Sequence, residues 1–211
     1  MDDKTRILEI VKTLKRSYPA AGCSLKHKNP FQLLISTILS AQCTDERVNM
    51  VTPGLFKKYP RPKEMGSAPL KDLETLIRST GFYHSKALAL KETSNALADN
   101  FGGKVPADMN NLLTLRGVAR KTANVVLGSG FGISAGVVVD THVKRVAFRL
   151  GLTTETEPGK IEKDLMGIIK KRDWIWFAHA VILHGRAVCN ARKPLCEKCP
   201  LKILCPQKGI E

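Results

Sequence analysis

Helical periodicity is the feature that most restricts the fold of this chain. Apolar residues recur at spacings of three and four in seven segments, whereas the alternating stretches that form strands are nearly absent. The segments are residues 7–14, 33–39, 70–77, 87–97, 143–150, 161–169 and 174–182. Proline and glycine breaks such as Asn29-Pro30 and Gly102-Gly103 separate them and leave room for about ten helices. The pattern predicts an all-α protein.

The chain is strongly basic. Its 211 residues include 34 Lys and Arg against 19 Asp and Glu, which gives a net charge of +15. A hydrophobic content of 43% is enough for one core or for two smaller lobes. Such a charge in a globular chain favours a polyanionic partner such as nucleic acid, although basic residues can also serve solubility alone.

Neither export nor membrane insertion is expected. Residues 1–14 are charged and amphipathic, unlike the apolar core of a signal peptide. No apolar run approaches the roughly 20 residues that a membrane span needs. We therefore expect a protein without a membrane partner, cytoplasmic and associated with the nucleoid if its source is prokaryotic. In a reducing compartment, clustered cysteines indicate a metal site.

Four cysteines near the C-terminus have the spacing C-x6-C-x2-C-x5-C: Cys189, Cys196, Cys199 and Cys205. Four thiolates can hold a [4Fe-4S] cluster or a zinc ion. Structural zinc sites usually pair two C-x2-C units, and this stretch has one. The spacing therefore favours the cluster and leaves zinc and unliganded thiols as alternatives. Lys193 and other basic residues between the cysteines would contact a phosphate backbone or be solvated.

A tight turn around Gly117 separates two predicted helices, the second of which begins near Arg120. Backbone N–H groups at such a turn and in the first turn of a helix are unpaired, so they can bind phosphate. Lys121 lies in that first turn, where the helix dipole should lower the pKa of its amine. An amine with a lowered pKa can act as a nucleophile, although a solvated or phosphate-binding lysine is the simpler interpretation.

Asp140 directly precedes another predicted amphipathic helix. Its simplest role is that of an N-cap, in which the carboxylate accepts hydrogen bonds from backbone N–H groups. A carboxylate held in this way stays ionised. It could therefore also stabilise a cationic sugar or transfer a proton.

Together these segments resemble the endonuclease III family of helix-hairpin-helix DNA glycosylases. Four signatures of the family occur in its order: Leu-Ser-Ala-Gln with Thr-Asp at 39–45, the hairpin at 115–123, Val-Asp-Thr-His-Val at 139–143 and the cysteines. The resemblance covers essentially the whole chain. It implies two lobes: a helical bundle domain with the hairpin at residues 23–131, and an iron–sulfur domain formed by residues 1–22 and 132–211. Double-stranded DNA would lie across the cleft between the lobes.

The resemblance also implies a bifunctional glycosylase and AP lyase that acts on DNA containing damaged pyrimidines or abasic sites. Lys121 would attack C1′ of the damaged nucleotide with the help of Asp140, and β-elimination through a Schiff base would cut the strand 3′ to the lesion. Gln42 would fill the gap in the duplex, and Phe82 would be the apolar wedge. The other DNA-binding candidates are Gly117, Ala119, Arg120 and Lys193. The four cysteines would hold a [4Fe-4S] cluster.

Two hairpin residues differ from the family's usual Leu-Pro-Gly-Val-Gly-x-Lys sequence: Arg116 replaces Pro, and Ala119 replaces the second Gly. If position 119 requires a positive φ, alanine would cost on the order of 1 kcal/mol. The loss of Pro leaves the turn less fixed, while Arg116 adds a charge. We therefore expect re-shaped phosphate contacts and an unchanged reaction.

Two other functions fit parts of the sequence. A monofunctional glycosylase for mismatched thymine or adenine would usually carry Ser, Tyr or another residue at position 121. The adenine enzymes also place a catalytic Glu in the early helix, and this chain has no acidic residue between Phe31 and Thr44. A non-catalytic iron–sulfur DNA-binding module would use Lys121 only as a phosphate contact. We expect a monomer, because the sequence has one binding surface and no heptads.

Overall fold

The structure, a computed structural model, describes residues 1–210, which form eleven α-helices and no strand. The all-α prediction is confirmed. The chain divides into two compact units. The hairpin unit is Cys23–Ile133, and the cysteine unit joins Met1–Gly22 to the chain from Ser134 onward. None of the described helices is both long and apolar enough to cross a membrane.

The hairpin unit is built around its first helix, α2. Its helices are α2 Pro30–Leu39, α3 Asp45–Lys58, α4 Pro62–Ser67, α5 Leu70–Ile77, α6 Tyr83–Asn100, α7 Met109–Leu113 and α8 Arg120–Val125. Eight of the ten residues of α2 are buried. A helix that is apolar on nearly every side occupies the centre of a bundle. Its start is fixed by Asn29, whose side-chain oxygen accepts from the N–H of Gln32 at 2.9 Å.

Four helices of this unit, α3, α4, α7 and α8, lie outside the seven periodic segments, although the turn at Gly117 predicted a helix on each side of it, which α7 and α8 are. Helix α3 contains Pro53 and Gly54, which interrupt its apolar pattern. It forms because Thr44 caps its first turn by accepting from the N–H of Arg47 at 3.2 Å, and because Asp45 follows at the favourable end of the helix dipole. Helices α4 and α7 have six and five residues, too few for a periodic signal.

The turn between α7 and α8 packs closely against α2 and α6. Gly117 has a left-handed φ of +75°, and a Cβ atom added there would lie 3.4 Å from Ile38 of α2 and from Ala89 of α6. Helix α6 also holds the residue before the glycine. The hydroxyl of Thr93 donates to the backbone oxygen of Arg116 at 2.7 Å, and Glu92 pairs with the Arg116 guanidinium at 2.8 Å. The predicted turn is thus present and firmly attached.

In the cysteine unit, helices α9 and α11 pack against each other. Its helices are α1 Asp3–Ser17, α9 Thr141–Arg149, α10 Pro158–Ile168 and α11 Trp174–Ala187. At the closest approach, a Cβ on Gly185 of α11 would lie 3.1 Å from the Cβ of His142 on α9. Helix α1 joins this pair through Trp176, whose indole N–H donates to the backbone oxygen of Tyr18 at 2.9 Å. Both ends of the chain therefore contribute to one core.

We expect Gly117→Ala to lower the melting temperature and the urea midpoint. A side chain at positive φ costs on the order of 1 kcal/mol, while the new Cβ, 3.4 Å from Ile38 and Ala89, leaves no room for the turn to relax toward α2 and α6. Gly54→Ala is the matched control, because no heavy atom lies within 4 Å of its added Cβ and alanine favours a helix. A Gly117→Ala protein as stable as the wild type would show that the turn does not need its left-handed conformation.

Candidate functional site

Lys121 is exposed in the first turn of α8, directly after the hairpin turn. The helix begins at Ala119, which has φ −90° and ψ 171° and provides no side-chain cap. This extended conformation is open to any residue, so the cost anticipated for alanine at position 119 does not arise. Arg120 lies beside Lys121 and is also exposed. The first turn of α8 thus presents two basic side chains.

Gln42 and Phe82 share an uncommon backbone conformation. Their φ angles are +51° and +48°, and the one other non-glycine residue with positive φ among residues 1–210 is Gln207. Both side chains are exposed, and Phe82 is 67% accessible. Such conformations cost about 1–3 kcal/mol and persist where neighbouring structure imposes them. Two side chains are thus held outward at strained positions.

A buried lysine holds the turn that carries Phe82. Lys86 is 5% exposed, and its Nζ donates to the backbone oxygen of Thr80 at 2.8 Å. Burial lowers the pKa of Lys86, and the nearby thiol group of Cys43 acts in the opposite direction when ionised. Cys43 is the neighbour of Gln42 in the chain. The loops that carry Gln42 and Phe82 therefore lie close together.

The hairpin turn belongs to the same neighbourhood. Ile38 and Ala89, which contact the turn at Gly117, lie on the helix before Gln42 and on the helix after Phe82. In the hairpin unit, the segments that carry Gln42, Phe82 and Gly117 therefore pack directly against one another. The chain continues from Gly117 to Ala119, Arg120 and Lys121.

Asp140 belongs to the cysteine unit, where it is the N-cap of α9. Its Oδ1 accepts from the N–H of Val143 at 2.8 Å, and its side chain is half-buried. The neighbouring His142 is engaged in packing: it lies against Gly185 and its Nδ1 is 3.2 Å from the Arg145 guanidinium. Burial lowers the pKa of His142, although the Asp140 carboxylate opposes this shift. The structure thus contains the predicted cap, with a packed histidine ring beside it.

The four cysteines line one pocket of the cysteine unit. The space inside it that a water molecule could enter is about 20 Å³, and the four side chains are half-buried. Burial raises the pKa of the thiols of Cys199 and Cys205. Nowhere in residues 1–210 do three His, Cys, Asp or Glu side chains stand close enough to share one metal ion. The thiols are therefore arranged around a space and do not meet at a point.

Two arginines of α9, absent from the sequence prediction, hold the cysteine loop. Arg149 is 7% exposed and donates to the backbone oxygens of Asn190 at 2.6 Å and Ala191 at 2.9 Å. Arg145, one turn earlier, donates to the backbone oxygen of Cys189 at 3.1 Å. In the sequence, only their spacing of four residues on an amphipathic helix indicates that they lie on the same face of α9. Lys193 is exposed a short distance along the same loop.

A buried histidine also adjoins the cysteines without a signal in the sequence. His184 is 1% exposed, its Nε2 lies 3.6 Å from Sγ of Cys199, and its Nδ1 lies 3.2 Å from the hydroxyl of Tyr18. Burial lowers the pKa of His184 to about 4. The pocket wall thus includes a buried imidazole, that of His184, in contact with the sulfur of Cys199.

Comparison with known proteins yields consistent results over nearly the whole chain. Residues 35–171 match the HhH-GPD superfamily of base excision DNA repair proteins. An endonuclease III of Synechocystis sp. is 55% identical over 203 residues, which cover 96% of this chain and 93% of that protein. An endonuclease III of Bacillus subtilis is 45% identical over 189 residues, which cover 89% and 86%.

A solved structure of a trapped endonuclease III–DNA covalent intermediate has the same fold. It gives a TM-score of 0.92 at 44% sequence identity and covers 98% of this chain and 97% of that one. Identity and fold thus agree at full length, and the hairpin and Lys121 fall within the matched segment. This chain belongs to the endonuclease III family, the bifunctional DNA glycosylases and AP lyases of the HhH-GPD base excision repair superfamily.

Proposed function

We propose that this protein removes oxidised or ring-damaged pyrimidines from double-stranded DNA and cuts the strand 3′ to the resulting abasic site. The observation that carries the proposal is the exposed Lys121 in the first turn after the hairpin, in a chain 44% identical to a protein trapped in a covalent intermediate with DNA. A covalent intermediate needs a nucleophile on the enzyme, and a lysine amine forms a Schiff base with a sugar carbon.

Lys121 serves both halves of the reaction. Its free amine attacks C1′ as the bond from C1′ to the base breaks, and the base leaves with a proton. Opening of the sugar ring converts the new C–N bond into a protonated Schiff base. This iminium group accepts electrons when C2′ loses a proton, and the C3′–O bond then breaks, which cuts the strand. Water as the nucleophile would provide no such electron sink.

Asp140 supplies a negative charge for the cationic stage of this reaction. As base departure proceeds, positive charge builds on the sugar, and a carboxylate stabilises it. The cap to Val143 keeps the side chain of Asp140 in one orientation. A carboxylate can also carry the protons that Lys121 loses and the base gains.

Gln42 and Phe82 support the extrusion of the damaged nucleotide. An enzyme that acts on a base in a duplex must unstack it, and the vacated space needs to be filled. The exposure of both side chains and their left-handed backbone fit a surface shaped for insertion. We assign the gap-filling role to Gln42 and the apolar wedge to Phe82.

Phosphate contacts complete the DNA-binding surface. The backbone N–H groups around Gly117 and Ala119, together with the Arg120 side chain, offer donors to one strand. Lys193 offers a second contact from the cysteine loop. The net charge of +15 favours such a partner at long range.

The four cysteines fit a [4Fe-4S] cluster better than a zinc ion. A zinc ion needs its ligands at one point, whereas these thiols surround a space, and no three such side chains within residues 1–210 approach closely enough for a single ion. Cys189, Cys196, Cys199 and Cys205 would be the ligands. When bound, the cluster crosslinks the loop that carries Lys193 and supplies one-electron redox chemistry. We further propose a monomer that works in the cytoplasm on nucleoid DNA if the source is prokaryotic.

Borohydride trapping tests the nucleophile. The wild type should become covalently linked to duplex DNA that contains thymine glycol, whereas Lys121→Gln should form no link, because an amide cannot make a Schiff base. Lys71→Gln is the charge-matched control, an exposed lysine on α5. Equal trapping of the wild type and Lys121→Gln would refute the assignment, and no trapping of either would favour a non-catalytic DNA-binding module.

Replacing Asp140 by Asn separates its charge from its capping role. Asn caps a helix as well as Asp does, so the melting temperature should not change. Single-turnover excision should fall about a hundredfold or more, the usual scale for loss of an acid–base group, while binding to abasic-site DNA persists. Asp140→Ala should lose about 1 kcal/mol of stability in addition. An unchanged excision rate in Asp140→Asn would reduce Asp140 to a helix cap.

Replacing Phe82 by Ala tests the wedge. Stacking of a base on an aromatic side chain is worth about 1–3 kcal/mol, so excision from duplex DNA should slow about 5- to 150-fold. Excision from single-stranded DNA should change little, since no gap has to be held open. Phe82→Leu should keep most of the activity, and Met50→Ala, which shortens another exposed apolar side chain, is the control. Equal slowing on single-stranded DNA would contradict the wedge.

A further inference from the structure

His184 occupies a special place among the residues that line the cysteine pocket. Its ring is 1% exposed and lies between two partners, with Nε2 3.6 Å from Sγ of Cys199 and Nδ1 3.2 Å from the hydroxyl of Tyr18. Tyr18 comes from the end of α1, 166 positions earlier in the chain. It also packs edge-on against the ring, with centroids 5.9 Å apart. Two distant segments thus fix one imidazole against one sulfur.

The chemistry of a metal ligand determines the direction of the contact with Cys199. A cysteine that binds a metal is a thiolate, which accepts hydrogen bonds and donates none. The ring nitrogen that faces it must therefore carry a proton. The Tyr18 hydroxyl can satisfy the other nitrogen, and it keeps the ring from rotating away. The side chain of His184 is thus a hydrogen-bond donor to the sulfur of Cys199.

The backbone of the same residue holds a second cysteine. The carbonyl oxygen of His184 accepts from the N–H groups of Val188 and Cys189, both at 2.9 Å, at the end of α11. His184 therefore contacts Cys189 through its backbone and Cys199 through its side chain. A substitution can remove the second contact and leave the first in place.

We propose that His184 is a positioning residue of the cofactor site, which donates a hydrogen bond to the Cys199 ligand and thereby raises the reduction potential of the cluster, with Tyr18 holding the ring in place. The inference rests on the proposed [4Fe-4S] cofactor. A donor to a ligand sulfur stabilises the extra negative charge of the reduced state, and hydrogen bonds to the sulfurs are among the features that set these potentials.

Arg149 offers a useful contrast. Its Nη1 lies 3.5 Å from Sγ of Cys189, but the same guanidinium donates to two backbone oxygens of the loop. Its replacement would release the loop as well as the sulfur. His184 is the residue at which the hydrogen bond can be altered alone.

The test compares reduction potentials in the full-length, iron-loaded protein. His184→Gln keeps an N–H donor, His184→Leu removes it at similar volume, and Tyr18→Phe removes only the hydroxyl that holds the ring. Voltammetry should give similar potentials for the wild type and His184→Gln, a lower one for Tyr18→Phe and the lowest for His184→Leu. His27→Gln, whose ring contacts the backbone of Leu25 in the hairpin unit, should match the wild type.

Equal potentials in the wild type, His184→Leu and Tyr18→Phe, each with full iron content, would overturn the proposal. If His184→Leu does not retain iron, the potential of Tyr18→Phe tests the proposal instead. A lowered potential supports the hydrogen bond from His184 to Cys199, and an unchanged one refutes it. A wild type that holds zinc or no metal overturns both this inference and the cofactor. A wild type with an intact cluster but no borohydride trapping contradicts the proposed reaction and leaves the comparison of potentials valid.

Discussion

The hairpin unit depends on the left-handed turn at Gly117. Because this residue has no Cβ, the chain reverses within contact of Ile38 and Ala89, and α8, which follows the turn, packs against α2. The two departures from the family hairpin leave this turn intact. Ala119 adopts an extended conformation that alanine accepts, and Arg116 is tied to α6 through Glu92 and Thr93. Side-chain contacts thus provide the restraint that proline would otherwise give.

The cysteine unit depends on α9 in a comparable way. The helix starts at the Asp140 cap and carries Arg145 and Arg149 farther along, where they bind backbone oxygens of the cysteine loop. Helix α9 therefore connects the proposed catalytic carboxylate, at its start, to the proposed cofactor loop, which its two arginines bind. Metal bound by the cysteines would stabilise the folded loop and, through the two arginines, α9. A cofactor bound by this loop would in this way affect a proposed residue of the reaction.

The features that the sequence predicts are the local ones. Helical periodicity indicates the long helices, the glycine indicates the hairpin turn, and the position of Asp140 before a helix indicates its cap. Helix α3 is not predicted by periodicity, because Pro53 and Gly54 lie inside it. The contact of His184 with Tyr18 and that of Arg149 with Asn190 cannot be predicted, since they join segments 166 and 41 positions apart. The roles of Lys121, Gln42 and the cysteines stay predictions until their variants are assayed.

Gln42 and Phe82 have left-handed conformations that would be less strained with glycine, so the presence of side chains at these positions needs an explanation. Glycine would adopt the same φ without strain, and a loop that served only to connect two helices would gain stability from it. Both positions instead carry a long side chain that extends into solvent, so neither burial nor packing repays the strain. For Phe82, the buried ammonium of Lys86 adds a further cost, because it must be desolvated to bind Thr80. These costs agree with the proposed roles of Gln42 and Phe82, since an opened DNA duplex would receive both side chains and provide an apolar stacking surface for Phe82.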